Sequence, residues 1–279
     1  MQIRQLTKQD IPDLLNAING AFADYIVPFQ LNAEQLQFKM RSENIVPEWS
    51  IGVFEAKKLI AFIMHGVRTV NKKTVVYNAG TGVLPEYRGH GLVGKMYDYI
   101  QPFFEEHNVN QLVLEVIESN QSAIRAYEKN GFTIRRKLLC FGGELQPKQH
   151  LNRATIKPLQ NFVWEDFQSF WDILPSWQSA IPSMDIAQPK ALGAFVGEVL
   201  IGYILFNPIN KRIYHIAVTS EHRRNGIGTQ LLAEVQKQLS GEKVQMNNMD
   251  EAAENLKLFL EKQGLINDIN QFEMVKSLG

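Results

Sequence analysis

The sequence predicts a mixed α/β (α+β) chain of two similar domains, each a mostly antiparallel twisted sheet flanked by helices. Three observations lead there. First, segments recur in the same order in both halves: LIAFI (59–63) resembles LIGYI (200–204), VLPEYRGHGLVGKM (83–96) resembles VTSEHRRNGIGTQL (218–231), and YEKNGF (127–132) resembles LEKQGL (260–265). Copies about 135 residues apart are domains with their own cores, whereas solenoid repeats recur every ~20–50. Second, each half alternates period-2 and helical apolar patterns. Third, 279 residues with 45% hydrophobic and 21% charged content suit a globular chain of about two domains. The turn-rich, polar run FGGELQPKQHLN places the boundary near Gly142–Asn152, giving domains 1–145 and 146–279.

In the first copy, Ile3–Gln5 reads as a strand and Asp10–Phe22 as a helix, with Asp10 as cap before Pro12. Ala33–Met40 is a second helix. Ser50–Glu55 and Leu59–Val67 are strands joined by the turn AKK, and Thr74–Val83 follows the turn NKK. Leu92, Met96, Tyr99, Ile100 and Phe103 mark a helix over His90–Glu106, with Pro102 expected to bend it. Gln111–Ile117 is a strand. Asn120–Asn130 is a helix, with Asn120 capping its start and Gly131 its end. Phe132–Phe141 is a strand. The second copy starts at Arg153–Lys157 and continues with a helical region at Trp164–Leu174. Strands follow at Ala191–Phe195, Val199–Phe206 and Arg212–Val218. Then come a helix at Gly226–Leu239, a strand at Lys243–Asn247, a helix at Glu251–Gln263 and a last strand at Phe272–Leu278.

Lys+Arg and Asp+Glu are 29 each, so the chain has no overall positive field with which to bind nucleic acid or an anionic membrane. The single Cys140 rules out an internal disulfide and a four-cysteine metal site. The opening MQIRQLTKQD lacks the apolar core of a secretory signal, and the most apolar window, Ala191–Phe206, is broken by Glu198 and three glycines. A cytoplasmic protein is expected.

The chemistry is expected where a strand meets a helix. After Val83 the chain turns through Arg88, Gly89, His90 and Gly91 into a helix that begins with Leu92, Val93 and Gly94. Glycines let the backbone approach a ligand, and the free amides of a first helical turn attract an anion, usually phosphate. After Val218 the second copy offers Arg223, Arg224, Asn225, Gly226, Ile227 and Gly228. A tight turn alone would also account for such glycines, although less readily in two copies. Gly89–Lys95 also fits the first seven positions of a P-loop. Its eighth position holds Met96 where a Ser or Thr hydroxyl should meet Mg²⁺, which argues against a nucleotide triphosphatase.

These residues resemble the acyl-CoA pyrophosphate loop of the GNAT superfamily of N-acetyltransferases, Arg/Gln-x-x-Gly-x-Gly/Ala. The second copy matches with Arg223, Gly226 and Gly228; the first has Arg88 and Gly91 but Val93 in the last place. A second signature of the family, Asn-x-x-Ala-x-x-x-Tyr-Glu-Lys-x-Gly-Phe, is complete at Asn120, Ala123, Tyr127, Glu128, Lys129, Gly131 and Phe132. In the second copy Ala253, Leu260 and Leu265 replace the Asn, Tyr and Phe. The chain is similar to tandem GNAT proteins.

The resemblance implies two acyl-CoA N-acyltransferase folds and acetyl-CoA as co-substrate, with its pyrophosphate on the amides of 88–94. It places the thioester between the strands ending at Val83 and Ile117, with a backbone N–H near Val83 on the carbonyl oxygen. An amine of a small molecule or peptide attacks directly, and Tyr127, a phenol protonated at neutral pH, gives a proton to the leaving sulfur. Tyr127 also continues an apolar stripe with Ala123, so packing remains a second explanation. Glu115, in an otherwise apolar strand, is a candidate general base or a structural partner of a cation, and Glu118 is a weaker candidate. Asn248 aligns with Glu115 in the second copy, which lacks both proton-transfer groups. The first copy is therefore expected to carry the chemistry. Catalysis in the second copy, or a non-catalytic acyl-CoA-binding protein, stays open.

The family's acceptor side corresponds to Ala21–Leu31, where Phe22, Tyr25 and Phe29 suit either core or ligand wall and Asp24 could attract a cationic amine. His65, His90 and His107 lack metal-ligand spacing, so no metal is expected. Asn120-Gln-Ser122 matches a glycosylation acceptor by chance. The acceptor and the oligomeric state are not legible.

Overall fold

The computed structural model describes residues 1–147, 153–160 and 162–278. Of the expected boundary segment, residues 148–152 lie outside the described residues. The chain forms two compact units, Met1–Arg135 with Phe272–Gly279, and Arg136–Gln271. The first unit therefore takes its last strand from the end of the sequence, and the second unit takes its first strand from the first copy.

The strands are β1 (Gln2–Gln5), β2 (Ile51–Glu55), β3 (Lys58–Val70), β4 (Lys73–Val83), β5 (Val109–Ile117), β6 (Thr133–Gly143), β7 (Thr155–Pro158), β8 (Lys190–Val196), β9 (Val199–Asn207), β10 (Arg212–Val218), β11 (Val244–Asp250), β12 (Ile266–Asn267) and β13 (Gln271–Ser277). The helices are α1 (Ile11–Ala21), α2 (Ala33–Ser42), α3 (Leu92–Glu106), α4 (Gln121–Lys129), α5 (Trp164–Gln168), α6 (Ile181–Ala187), α7 (Ile227–Gln238) and α8 (Glu254–Lys262).

In the first unit the strand order is β1-β2-β3-β4-β5-β13. Its β1 to β4 are successive antiparallel neighbours, and β4 and β5 are parallel. The hairpins turn at Ala56-Lys57 and Asn71-Lys72, all four residues at positive φ as a two-residue hairpin turn requires. The two sheet faces carry different helices. Gly82 faces α1, where an added Cβ would lie 2.9 Å from that of Ala21. The Asn78 amide donates to the Tyr97 hydroxyl of α3 at 2.9 Å. Leu92, Met96, Tyr97, Ile100 and Phe104 form the buried stripe of α3. Tyr99, expected in that stripe, is 48% exposed, because the buried face is rotated toward Tyr97, whose hydroxyl finds Asn78. Pro102 sits inside the helix without ending it.

In the second unit the strand order is β6-β11-β10-β9-β8-β7, with β12 beside β6. Its β10–β11 pair is parallel. One face packs Ile227, Leu231, Leu232 and Val235 of α7 against Ile201, Phe206 and Ile213; the other packs Phe167 and Met184 against Tyr203, Leu205 and Tyr214. The Trp164–Leu174 helix ends already at Gln168, and α6 follows where no helix was expected, with Pro182 in its first turn.

His65 and His215 are buried polar groups in these cores. Burial pushes each imidazole down to about 4 from 6.5, outweighing the hydrogen bonds to the Trp49 and Ser179 carbonyls. The unfolded chain therefore binds more protons between these values, so each histidine contributes stability that is complete above about pH 6.5 and lost as pH falls toward 4. The shift corresponds to roughly 3 kcal/mol per histidine. Urea midpoints measured from pH 7 to pH 4 should fall, and His215→Asn should flatten part of that slope. An identical slope in the variant would contradict this account of His215.

Candidate active site

The strand that leads to the site is bent at the same point in both units. Between β3 and β4 the register passes from Met64↔Gly80 to His65↔Asn78, leaving Ala79 as the extra residue of a bulge. Between β9 and β10 it passes from Leu205↔His215 to Phe206↔Ile213, leaving Tyr214 extra. A bulge bends its strand and ends pairing. The parallel ladder of β4 and β5 stops at Asn78↔Leu114, and that of β10 and β11 holds only Arg212↔Gln245. Beyond these points the strands part. The amides of Leu84 and Thr219 donate to Ile60 and Ile201, on the outer side of the strand. By strand alternation the N–H and C=O of Val83 and Val218 face the gap.

Past the gap, each chain turns into its helix through left-handed backbone. In the first unit Gly89 (φ +80°) and Gly91 (φ +69°) take that conformation; an added Cβ on either would meet nothing within 4 Å. The positions are open, so backbone conformation, not crowding, calls for glycine. The first helical amide bond is Lys95 to Gly91 (3.2 Å), which leaves the amides of Leu92, Val93 and Gly94 outside the helical ladder. His90 is exposed. In the second unit Arg224 (φ +61°) and Gly226 (φ +81°) take the two left-handed places, and Gln230 makes the first helical bond. Ile227, Gly228 and Thr229 are its free first turn, and half-buried Asn225 accepts from Arg153 at 2.9 Å. Gly228 lies against Phe259, whose ring would be 2.9 Å from an added Cβ. At the equivalent positions the first unit carries Val93 and Ala126. This exchange of size explains why a β-branched residue is tolerated in the first loop.

Tyr127 projects from α4 to the point where β4 and β5 part and is 8% exposed. Burial pushes its phenol up to about 12, and hydrogen bonds with the Thr81 and Asn78 side chains draw it back only in part. Asn78 also donates to Thr81 Oγ1 at 2.7 Å. Tyr127 thus stands against the bulged strand, fully protonated at neutral pH. Glu115 accepts a 3.0 Å hydrogen bond from the Tyr77 hydroxyl. Tyr77 and Asn78 are neighbours on one strand and face opposite sides, so Glu115 and Tyr127 lie on opposite faces of the sheet.

Asn120 caps α4, its Oδ1 accepting from the Ala123 amide (3.2 Å), while its Nδ2 donates to the Tyr25 hydroxyl at 3.1 Å. The Arg88 guanidinium makes a bidentate pair with Asp24, both contacts 2.7 Å. Asp24 is therefore paired rather than open to a cationic acceptor.

The second unit contains a cavity of about 1210 Å³ that runs from Gly226–Thr229, between β10 and β11, to Phe170, Trp171, Tyr203 and His215. Sequence reasoning missed its inner wall. There Trp171 Nε1 donates to the Tyr203 hydroxyl, which lies 3.2 Å from His215 Nδ1, and His215 Nε2 lies 2.6 Å from the Ser179 carbonyl. Ser176 Oγ and Ser179 Oγ, buried in the same wall, have no hydrogen-bond partner among the described residues. Leu260, in Tyr127's place, is plain core. By strand register Asn247, not Asn248, occupies the place of Glu115; Asn248 (φ +61°) belongs to a bulge between Met246 and Met249. His65 is buried against Trp49, and His107 touches Phe103. Among the described residues no group of three or more His, Cys, Asp or Glu is placed to hold a metal, and no helix is long and apolar enough to cross a membrane.

Several solved structures share this fold. A GCN5-related N-acetyltransferase from Sphaerobacter thermophilus is 17% identical, with TM-score 0.75, over 99% of this chain and 95% of that one. A tandem GNAT protein from the clavulanic acid biosynthesis pathway is 13% identical, with TM-score 0.69, over 100% and 99%. A putative acetyltransferase from Pyrococcus horikoshii is 14% identical, with TM-score 0.67, over 100% and 89%. No curated protein sequence matches the chain. The model of the acetyltransferase (GNAT) family matches twice, over residues 15–132 and 156–264. Both matches contain the strand, glycine turn and helix described above, and the chain belongs to the GNAT acetyltransferase family, with two GNAT repeats.

Proposed function

We propose that the chain is an acetyl-CoA-dependent N-acetyltransferase, that its acceptor is an amine of a small molecule or peptide, and that the first unit carries the chemistry. The observation that carries this reading is Tyr127, a protonated phenol held by Asn78 and Thr81 where β4 and β5 separate, next to a glycine turn.

The residues fit the co-substrate. The open positions at Gly89 and Gly91 and the free amides of Leu92–Gly94 would cradle its diphosphate. The bound group supplies an activated acyl carbon and a thiolate leaving group. The Val83 amide faces the gap and would donate to the acyl oxygen, more strongly as that oxygen gains charge. Tyr127 would hydrogen-bond the departing sulfur and protonate it. A phenol near 12 is a weak acid beside an ordinary thiol of about 8.5. Desolvation also raises the basicity of a thiolate, which brings the two groups closer together inside the site. Glu115, on the opposite face, is the group proposed to take the amine proton, directly or through water.

A second reading places the reaction itself in the second unit. The 1210 Å³ cavity favours it, since it joins that unit's glycine turn to a wall of buried polar groups. Acceptor-dependent release of free thiol from acetyl-CoA, measured over a panel of amines, tests the function. Wild type should release thiol with at least one amine. Gly91→Glu should stop that turnover, and Gly226→Glu should leave it running. The opposite pattern would move the chemistry to the second unit. Binding without release from any amine would favour a non-catalytic acyl-CoA-binding protein.

A further inference from the structure

We propose that Arg88 and Arg223 are positioning residues, each latching the acceptor-side connection of its own unit to the end of the bulged strand, with Asp24 and Asp172 as their partners. This rests on the N-acyltransferase reading for its catalytic meaning, not for its geometry.

Each guanidinium grips the same three kinds of acceptor. Arg88 donates through Nε to the Val83 carbonyl (3.2 Å), through a terminal nitrogen to the Ala21 carbonyl at the end of α1 (2.9 Å), and to both oxygens of Asp24 (2.7 Å). Arg223 donates through Nε to the Val218 carbonyl (2.9 Å), through a terminal nitrogen to the Phe170 carbonyl just past α5 (3.5 Å), and to Asp172 (2.8 Å). The connecting sequences differ, AFAD in one unit and FWD in the other, yet the constellation returns. The planar fork with five N–H donors suits a strand end, a helix end and a carboxylate at once; a lysine ammonium has three donors and no fork to match the carboxylate.

In the first unit the latch is one of three ties on the connection 22–31. Asn19 closes the base through both backbone groups of Leu31, at 2.9 and 2.8 Å. Arg88, after β4, holds Asp24, and Asn120, after β5, holds Tyr25. The connection is thereby pinned to both rims of the gap in which the acyl group would lie. In the second unit Phe170, Asp172 and Arg223 together line the cavity. The arginine of each glycine turn therefore shapes the acceptor side, and the diphosphate is left to the backbone amides.

The test uses Arg88→Gln, Asp24→Asn and the exchanged pair Arg88→Asp/Asp24→Arg in the full chain. Hydrogen exchange of peptides covering 22–31 reads the latch without any activity. Both single variants should speed exchange there by about tenfold or more, and the exchanged pair should restore part of the protection. Acetyl-CoA affinity should change less than about threefold while the acceptor KM rises by about tenfold. Unchanged exchange over 22–31 would overturn the proposal. So would a loss of acetyl-CoA affinity of about tenfold in Arg88→Gln but not in Asp24→Asn, since it would mark the guanidinium as a phosphate ligand. If wild type neither binds acetyl-CoA nor releases thiol, the enzymatic reading fails, and the exchange data still decide the latch.

Discussion

Tyr127→Phe is expected to lower acyl transfer by about 10²–10⁴-fold, the usual worth of a positioned general acid. The ring stays, so its edge contact with Phe132 (5.8 Å between centroids) and its place in the core are kept. Only the hydroxyl beside Thr81 and Asn78 is removed. Acetyl-CoA affinity should be nearly unchanged, because the group acts on the leaving sulfur. The loss should then appear in kcat and in kcat/KM together, as expected for an interaction made only in the transition state. Steady-state kinetics with one good amine, with thermal unfolding as a control for the fold, checks it. A rate within about threefold of wild type would assign Tyr127 to packing and leave proton transfer to water.

Gly91→Glu carries the second large effect. Its φ of +69° strains most side chains, and a carboxylate there would stand among the amides proposed to hold the diphosphate. Acetyl-CoA binding to the first unit should weaken by about 100-fold or more, since like charge and lost cradle act together. Gly91→Asn separates the causes. Asparagine tolerates left-handed backbone and adds no charge, so it should retain most of the affinity. Calorimetric titration of both variants reads the difference. Equal affinities for wild type and Gly91→Glu would remove this turn from the binding site.

Much of this was legible because the strong signals are local. The alternation of β2, β3 and β4, the glycines before α3 and α7, and the Asn120 cap all depend on residues close together in sequence. What stayed hidden depends on contacts between distant segments. Arg88 carries no mark that its charge would meet Asp24, more than 60 positions earlier. The stripe of α3 could include Tyr97 or Tyr99 at nearly equal helical spacing, and Asn78 on β4 decides between them. Arg224 takes a left-handed turn that its residue type does not announce. The inserted Asn248 slides the second copy by one place, so helix-based alignment and strand register assign different partners to Glu115. The last strand, read as the end of the second copy, belongs by its contacts to the first unit. The cavity was out of reach because its walls come from β10, β11, α7, α8 and the segment after α5.

The claim beneath the rest is that each glycine turn offers its amides to the diphosphate of acetyl-CoA. Counting acetyl-CoA sites by isothermal titration tests it most directly. Wild type should take up two molecules per chain, Gly91→Glu and Gly226→Glu one each, and the double variant none. Binding whose stoichiometry neither substitution changes, or no binding at all by wild type, would contradict it.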